Sequence, residues 1–184
     1  MLFNVLGHFD ECTVSAASII FHKCSGSWLW KHTFKKRSPV LFEHCAQCQR
    51  CCHIEEDFPP LEVSLTKEES RVYGSICIEN HCTHLGDQGC DLGEAKPVSC
   101  KLYPLSFEPS SRTFQFDVEC PLKDRYFAQL SDPKSDASLH LLSMSNIIKR
   151  LEKTDHEFLK NNYAIDADYF ELETLPVSPF KPKK

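Results

Sequence analysis

Apolar and polar positions alternate only in short stretches over the first two thirds of this chain, and take up a helical period only in the last third. Leu61, Val63 and Leu65 alternate with Glu62, Ser64 and Thr66, the two-residue period of a half-buried strand. Thr66-Lys67-Glu68-Glu69 has the form of a capping box, which predicts a helix from Lys67 that stops by Gly74. Leu105 and Phe107 lead into the turn Glu108-Pro109-Ser110-Ser111. Phe114, Phe116 and Val118 then alternate with Thr113, Gln115 and Asp117, so residues 105–118 read as a β-hairpin that ends near Cys120. A short helix is predicted from Lys123 to Leu130, closed by Asp132-Pro133. Ser135 or Asp136 can cap a long helix to about Asn161, with Leu141, Met144, Ile148, Leu151 and Phe158 on one face.

These elements divide the chain into an appendage over residues 1–40, a domain over 41–161 and a tail over 162–184. The first segment shows no sustained apolar period, and from Leu175 the proline-lysine composition reads as disordered. The fold class expected is α+β: a small, irregular, metal-organised core with short antiparallel strands and a C-terminal helical segment.

Composition narrows the function. The formal charge is -5, which argues against a nucleic-acid partner, since phosphate binding shows as a net basic surface. The basic run Lys31, Lys35, Lys36 and Arg37 reads as a solvated linker. Mean hydropathy is -0.35, and no apolar run approaches the roughly 20 residues of a membrane span, so no membrane partner is expected. Residues 1–20 carry Asp10 and Glu11 where a secretory leader would be apolar, which points to a cytoplasmic protein.

The strongest chemical signal is cysteine. His44-Cys45-Ala46-Gln47-Cys48-Gln49-Arg50-Cys51-Cys52-His53 crowds four thiols together, and Cys82, Cys90, Cys100 and Cys120 follow. At about 100° per residue, Cys45, Cys48, Cys51 and Cys52 would share an arc of about 120° on a helix, and a tight turn would converge them as well. Either arrangement makes a multidentate soft-ligand claw suited to zinc or iron, not to calcium or magnesium. A disulfide framework is the weaker reading: the chain has 11 cysteines, an odd number, and adjacent Cys51 and Cys52 bridge only with strain. A redox dithiol ranks between the two. Gly86-Asp87-Gln88-Gly89 is a turn that folds Cys90 back toward Cys82. Cys12 and Cys24 are isolated, and Cys77, between Ile76 and Ile78, reads as core. His140 and His156 read as ordinary helix residues, and Glu55 and Glu56 as a solvated turn.

Taken together, Cys45-x2-Cys48-x2-Cys51-Cys52, then Cys82-x7-Cys90, then Lys96-Pro97-x2-Cys100-Lys101-Leu102-Tyr103-Pro104 resembles the CxxCxxCC cysteine-cluster family, the YkgJ family, described as a zinc- or iron-chelating domain. The match runs over about residues 42–121. That family has arginine where this chain has Lys96 and Lys101; lysine keeps the charge and loses the planar fork. The resemblance implies metal chelation without naming a substrate.

The metal ligands expected are Cys45, Cys48, Cys51, Cys52, Cys82, Cys90, Cys100 and Cys120. Eight thiols exceed the four of one zinc or one four-iron cluster, so two centres, or one centre and structural thiols, fit. His53, His81 and His84 could replace a sulfur, but read first as flanking groups. The crowded claw tilts the choice toward an iron–sulfur cluster over zinc. The partner expected is therefore a metal ion, with a protein partner as a further candidate. Three roles stay open: a structural or electron-carrying centre, a cluster-dependent enzyme acting in protein methylation or redox modification, and a metal chaperone or store. Catalytic residues are not legible, and no phosphate loop, Ser-His-Asp arrangement or H-E-x-x-H motif is present.

Overall fold

A computed structural model describes residues 41–180. Cys12, Cys24, the basic run at 31–37 and the appendage reading of residues 1–40 lie outside them. The alternation of large apolar residues after Leu105 builds the sheet at the centre of the fold. Strand β5 (Leu105–Glu108) pairs antiparallel with β6 (Thr113–Asp117), with Leu105 opposite Phe116 and Phe107 opposite Phe114. A third strand, β7 (Leu172–Thr174), lies on the far edge of β6 with Leu172 opposite Asp117. Arg112 takes a left-handed φ of 56° in the hairpin turn and bonds Glu152 through Nε (2.7 Å) and Nη2 (2.9 Å).

Helices cover this sheet. α4 (Lys123–Gln129) and α5 (Asp136–Thr154) follow β6, and the Ser135 hydroxyl caps α5 by accepting from Ser138 N–H at 3.3 Å. Leu141, Met144, Ile148 and Leu151 are buried at the three- and four-residue spacing of one helix face. They meet Phe107, Phe114, Phe116, Leu122 and Tyr126 in one cluster, where Phe116 is 0% exposed and packs its ring 4.9 Å from Tyr126.

The long helix expected to Asn161 is interrupted at Asp155 (φ -152°, ψ 63°), whose carboxylate starts a new helix, α6 (His156–Tyr169). An aspartate competes for backbone N–H groups and so prefers a cap to a helix interior. Residues 162–180 do not read as a tail. α6 continues to Tyr169, β7 joins the sheet, and Leu175 and Phe180 are buried, Phe180 stacked 5.6 Å from Phe114.

The segment before β5 is built from much shorter pieces. β1 (Leu61–Glu62) pairs with β2 (Cys77–Ile78), and the strand predicted through Thr66 stops after two residues because Thr66 turns to cap α2 (Lys67–Tyr73). Both halves of the capping box form: Glu69 N–H donates to Thr66 Oγ1 (3.2 Å) and Thr66 N–H to Glu69 Oε2 (2.9 Å). β3 (Leu85–Gly86) and β4 (Gly89–Cys90) make a tight hairpin, and α3 (Val98–Leu102) precedes β5. Its own buried cluster is small: Val63, Ile76 and Ile78. The fold is α+β with short antiparallel sheets and a C-terminal helical segment. No helix of the described residues is long and apolar enough to cross a membrane.

Candidate metal centre

The claw is neither one helix nor one turn. Leu41–His44 is a 3₁₀ turn, α1 (Cys45–Cys48) is a single α-turn, and Arg50–Cys52 is a second 3₁₀ turn. Between them Gln49 adopts a left-handed φ of 52°, a costly conformation for a residue with a side chain, and it re-aims the chain after Cys48. Arg50 fixes the second turn from outside, donating to the Glu119 carbonyl (3.1 Å) and to Glu119 Oε2 (2.7 Å), one residue before Cys120.

Backbone bonds then draw the other cysteines in. Cys82 N–H donates to the Cys52 carbonyl (2.8 Å) and Ile54 N–H to the Asn80 carbonyl (2.8 Å), so residues 52–54 run beside 80–82 with His53 opposite His81. The turn Leu85 N–H to Cys82 C=O (3.0 Å) begins the β3–β4 hairpin, which returns Cys90 to this neighbourhood. Gly86 lets the Asp91 carboxylate pack close there, since a Cβ would sit 2.2 Å from Asp91 Oδ1 and displace that side chain. Cys100 arrives on α3, whose start is held by Val98 N–H to Glu69 Oε1 (2.8 Å) and by Ser99 Oγ to the Ser64 carbonyl (2.7 Å). The Glu69 carboxylate thus closes the capping box with one oxygen and positions the Cys100 helix with the other.

Cys51, Cys52, Cys82, Cys90 and Cys100 line one cavity of about 80 Å³, whereas Cys45, Cys48 and Cys120 do not reach it. Electrostatically the set is continuous. Cys45 feels Cys48 and Cys52, Cys51 feels Cys45 and Cys100, Cys82 feels Cys52 and Cys90, and Cys120 feels Cys45. Burial pushes Cys45 and Cys82 up, and lifts Cys100 and Cys120 to about 11. Cys51 and Cys52 share a hydrogen bond that holds Cys51 down and Cys52 well up. All nine described cysteines are free thiols. Among the described residues, no three His, Cys, Asp or Glu side chains stand in an arrangement that would hold a metal ion.

One cation works against these upward shifts. The Lys96 ammonium lowers Cys45, Cys51, Cys52, Cys82 and Cys100 alike. Lys101, at the other flank of Cys100, instead donates from Nζ to the Glu94 carbonyl (2.6 Å). Cys77 is exposed on β2 and not core, because the strand alternation turns Ile78 inward and Cys77 out. His84 lines the cavity and donates its backbone N–H to the Cys82 sulfur; the His53 and His81 rings lie 6.4 Å apart. His140 is a structural residue. Its Nε2–H donates to the Lys101 carbonyl (3.0 Å) and its Nδ1 accepts from Tyr126 O–H (3.1 Å).

Sequence reasoning missed the carboxyl groups that share the cavity with the thiols. Asp117 Oδ2 accepts from Tyr103 O–H (2.6 Å), and Asp166 Oδ2 accepts from Ser106 Oγ (2.6 Å) and Asn162 Nδ2 (2.8 Å). All five side chains line the cavity. Asp166 and Asn162 are four apart on α6, a spacing that puts them on one face, but only the tertiary fold brings that face to the cavity.

No family model matches this chain, and no curated protein and no solved structure is significantly similar to it.

Proposed function

We propose that this chain is a metal-binding cysteine-cluster protein that holds iron, as an iron–sulfur cluster, or zinc through cysteine thiolates. The observation that carries the reading is that Cys51, Cys52, Cys82, Cys90 and Cys100, from separate stretches of sequence, line one cavity together with the ammonium group of Lys96. Free thiols raised by burial and by one another gain most from an agent that takes them as thiolates, and a soft cation does that. The donor chemistry suits either metal, being all sulfur with a lysine on the same cavity. Cys51, Cys52, Cys82 and Cys100 would supply four thiolates around the cavity, and binding would draw their side chains inward. Likeness of the motifs to the CxxCxxCC family adds to this reading.

Anaerobic purification, metal analysis and an absorption spectrum test it. Stoichiometric iron with visible absorption that bleaches under dithionite identifies a cluster; stoichiometric zinc in colourless protein identifies a zinc site. Serine at Cys51, Cys52, Cys82 or Cys100 should lower bound metal strongly, while serine at Cys77 should not. Protein that carries neither metal, or equal metal in every variant, overturns the proposal.

A further inference from the structure

The thiol cavity has a second, chemically opposite wall. Asp166 on α6 receives both of its hydrogen bonds, from Ser106 and Asn162, on Oδ2. The two donors are themselves buried, Ser106 at 2% and Asn162 at 4% exposure, so they fix the carboxyl in place. The Asn162 amide donates one N–H to Asp166, which leaves its carbonyl oxygen to accept and its second N–H to donate. Ser64, which lines this cavity and a neighbouring one, has a buried Oγ with no hydrogen-bond partner among the described residues. Unsatisfied buried polar atoms are rare in folded proteins, because each costs about 1–3 kcal/mol, and one that faces a cavity points to an occupant. No ion pair of the described residues involves Asp166 or Asp117. These groups supply several acceptors, and the lining lysine, Lys96, acts on the thiols.

We infer that Asp166, Asn162 and Ser64 form a binding subsite for the protonated amino group of a small primary amine. An ammonium head offers three N–H donors to these acceptors and a positive charge to the carboxylate. The cavity's remaining lining, which includes Val63, Ile76, Ile78, Leu105 and Ile165, suits a short hydrocarbon stem. Its volume of about 80 Å³ limits the ligand to a few heavy atoms; a cavity of roughly 150 Å³ is what benzene takes. Methylammonium and ethylammonium fit that limit, and a long alkylamine does not. The subsite uses no thiol, but a thiolate-bound metal would share its cavity, so the amine is expected to bind the metal-free fraction of the chain.

Burial, with Asp117 adding to it, lifts the Asp166 carboxyl to about 7, while the Ser106 and Asn162 bonds pull the other way. The other titratable groups on the cavity are Tyr103 beside Asp117, Glu62 on β1, and Lys96, His84 and the five thiols. Amine binding should therefore demand the ionised carboxylate and release a proton below about pH 7, weakening about tenfold for each further pH unit.

The experiment is calorimetric and NMR titration of the full chain, at measured metal content, with methylammonium, ethylammonium, hexylammonium, ethanol and acetate at pH 8 and pH 6. The expected result is saturable binding of the two short amines, at least about tenfold weaker at pH 6, with none of hexylammonium, ethanol or acetate. Asp166→Asn, nearly isosteric, should abolish the preference for ethylammonium over ethanol. Ser64→Ala, whose hydroxyl makes no bond in the fold, should weaken ethylammonium binding severalfold while leaving the amide spectrum intact. Equal binding of ethanol and ethylammonium, pH-independent affinity, or an unaltered Ser64→Ala variant in a folded protein overturns the inference. Metal content is read separately, so a failed metal proposal leaves each of these outcomes unchanged.

Discussion

The region from β5 onward and the region from the claw to α3 solve the same problem with different materials. The first buries phenylalanines, leucines and one tyrosine against a three-stranded sheet and two long helices. The second buries Val63, Ile76 and Ile78, with strands two residues long. What it has instead is directed polar bonding: the double-duty Glu69 carboxylate, the Arg50–Glu119 pair and the backbone ladder from Cys52 to Cys82. Hydrophobic burial is strong and non-directional, whereas single hydrogen bonds contribute about 0.5–1.5 kcal/mol but fix geometry. One region supplies stability and the other supplies aim.

The sharpest break to this comparison is made in the aromatic core. Phe116→Ala should cost about 3–5 kcal/mol in denaturant unfolding, because the ring is fully enclosed by Tyr126, Phe127 and their neighbours. A loss below about 1 kcal/mol would mean that the sheet is not the stabilising half.

Asp166 sits on the seam and tests the polar side. Its carboxyl is raised from 3.8 to about 7, so the folded state holds a proton that the unfolded chain releases near pH 4. That contribution is complete below about pH 4 and disappears as pH climbs through about 7. Asp166→Asn has no such titration, so relative to wild type it should gain roughly 2–4 kcal/mol between pH 4 and pH 8. Parallel stability curves for the two proteins would exclude it.

Glu69→Ala removes two backbone-anchoring bonds at once and should cost about 1–3 kcal/mol. Hydrogen exchange sharpens the point. Protection should fall across residues 66–73 and 98–102 and hold in β5 and β6; a uniform fall would erase the distinction between the two regions.

The smallest effect separates two neighbouring lysines. Lys96→Gln should move thiol alkylation by iodoacetamide to higher pH in metal-free protein, since a cation that favours the thiolates is gone. Lys101→Gln should leave that profile in place, because its ammonium is engaged at the Glu94 carbonyl. Equal shifts in both would return Lys101 to the thiols.

Legibility followed the range of the forces. The capping box at Thr66–Glu69, the hairpin around residues 105–118 and the helix beginning at Lys123 are written in adjacent residues, and each forms. Residues 162–180 carry no local period because Leu172 and Phe180 are placed by the sheet and aromatics they meet, not by their neighbours. Cys77 was misread for the converse reason: an apolar run conceals a two-residue alternation. In the candidate site, the spacing of cysteines drew attention to the thiol wall. The carboxyl wall stayed invisible, because Ser64, Ser106, Asp117 and Asp166 are ordinary residues until the fold assembles them.

Asp155 joins the two regions more intimately than their packing. Its Oδ2 accepts from Lys67 N–H (2.8 Å) at the start of α2, and its Oδ1 from Phe158 N–H (3.4 Å) in the first turn of α6. A single carboxylate thus tethers the origins of two helices. α2 leads through Glu69 to the helix bearing Cys100, and α6 bears Asn162 and Asp166. The helix that anchors the start of the Cys100 helix and the helix that carries Asn162 and Asp166 therefore share one starting point, an aspartate outside the cavity.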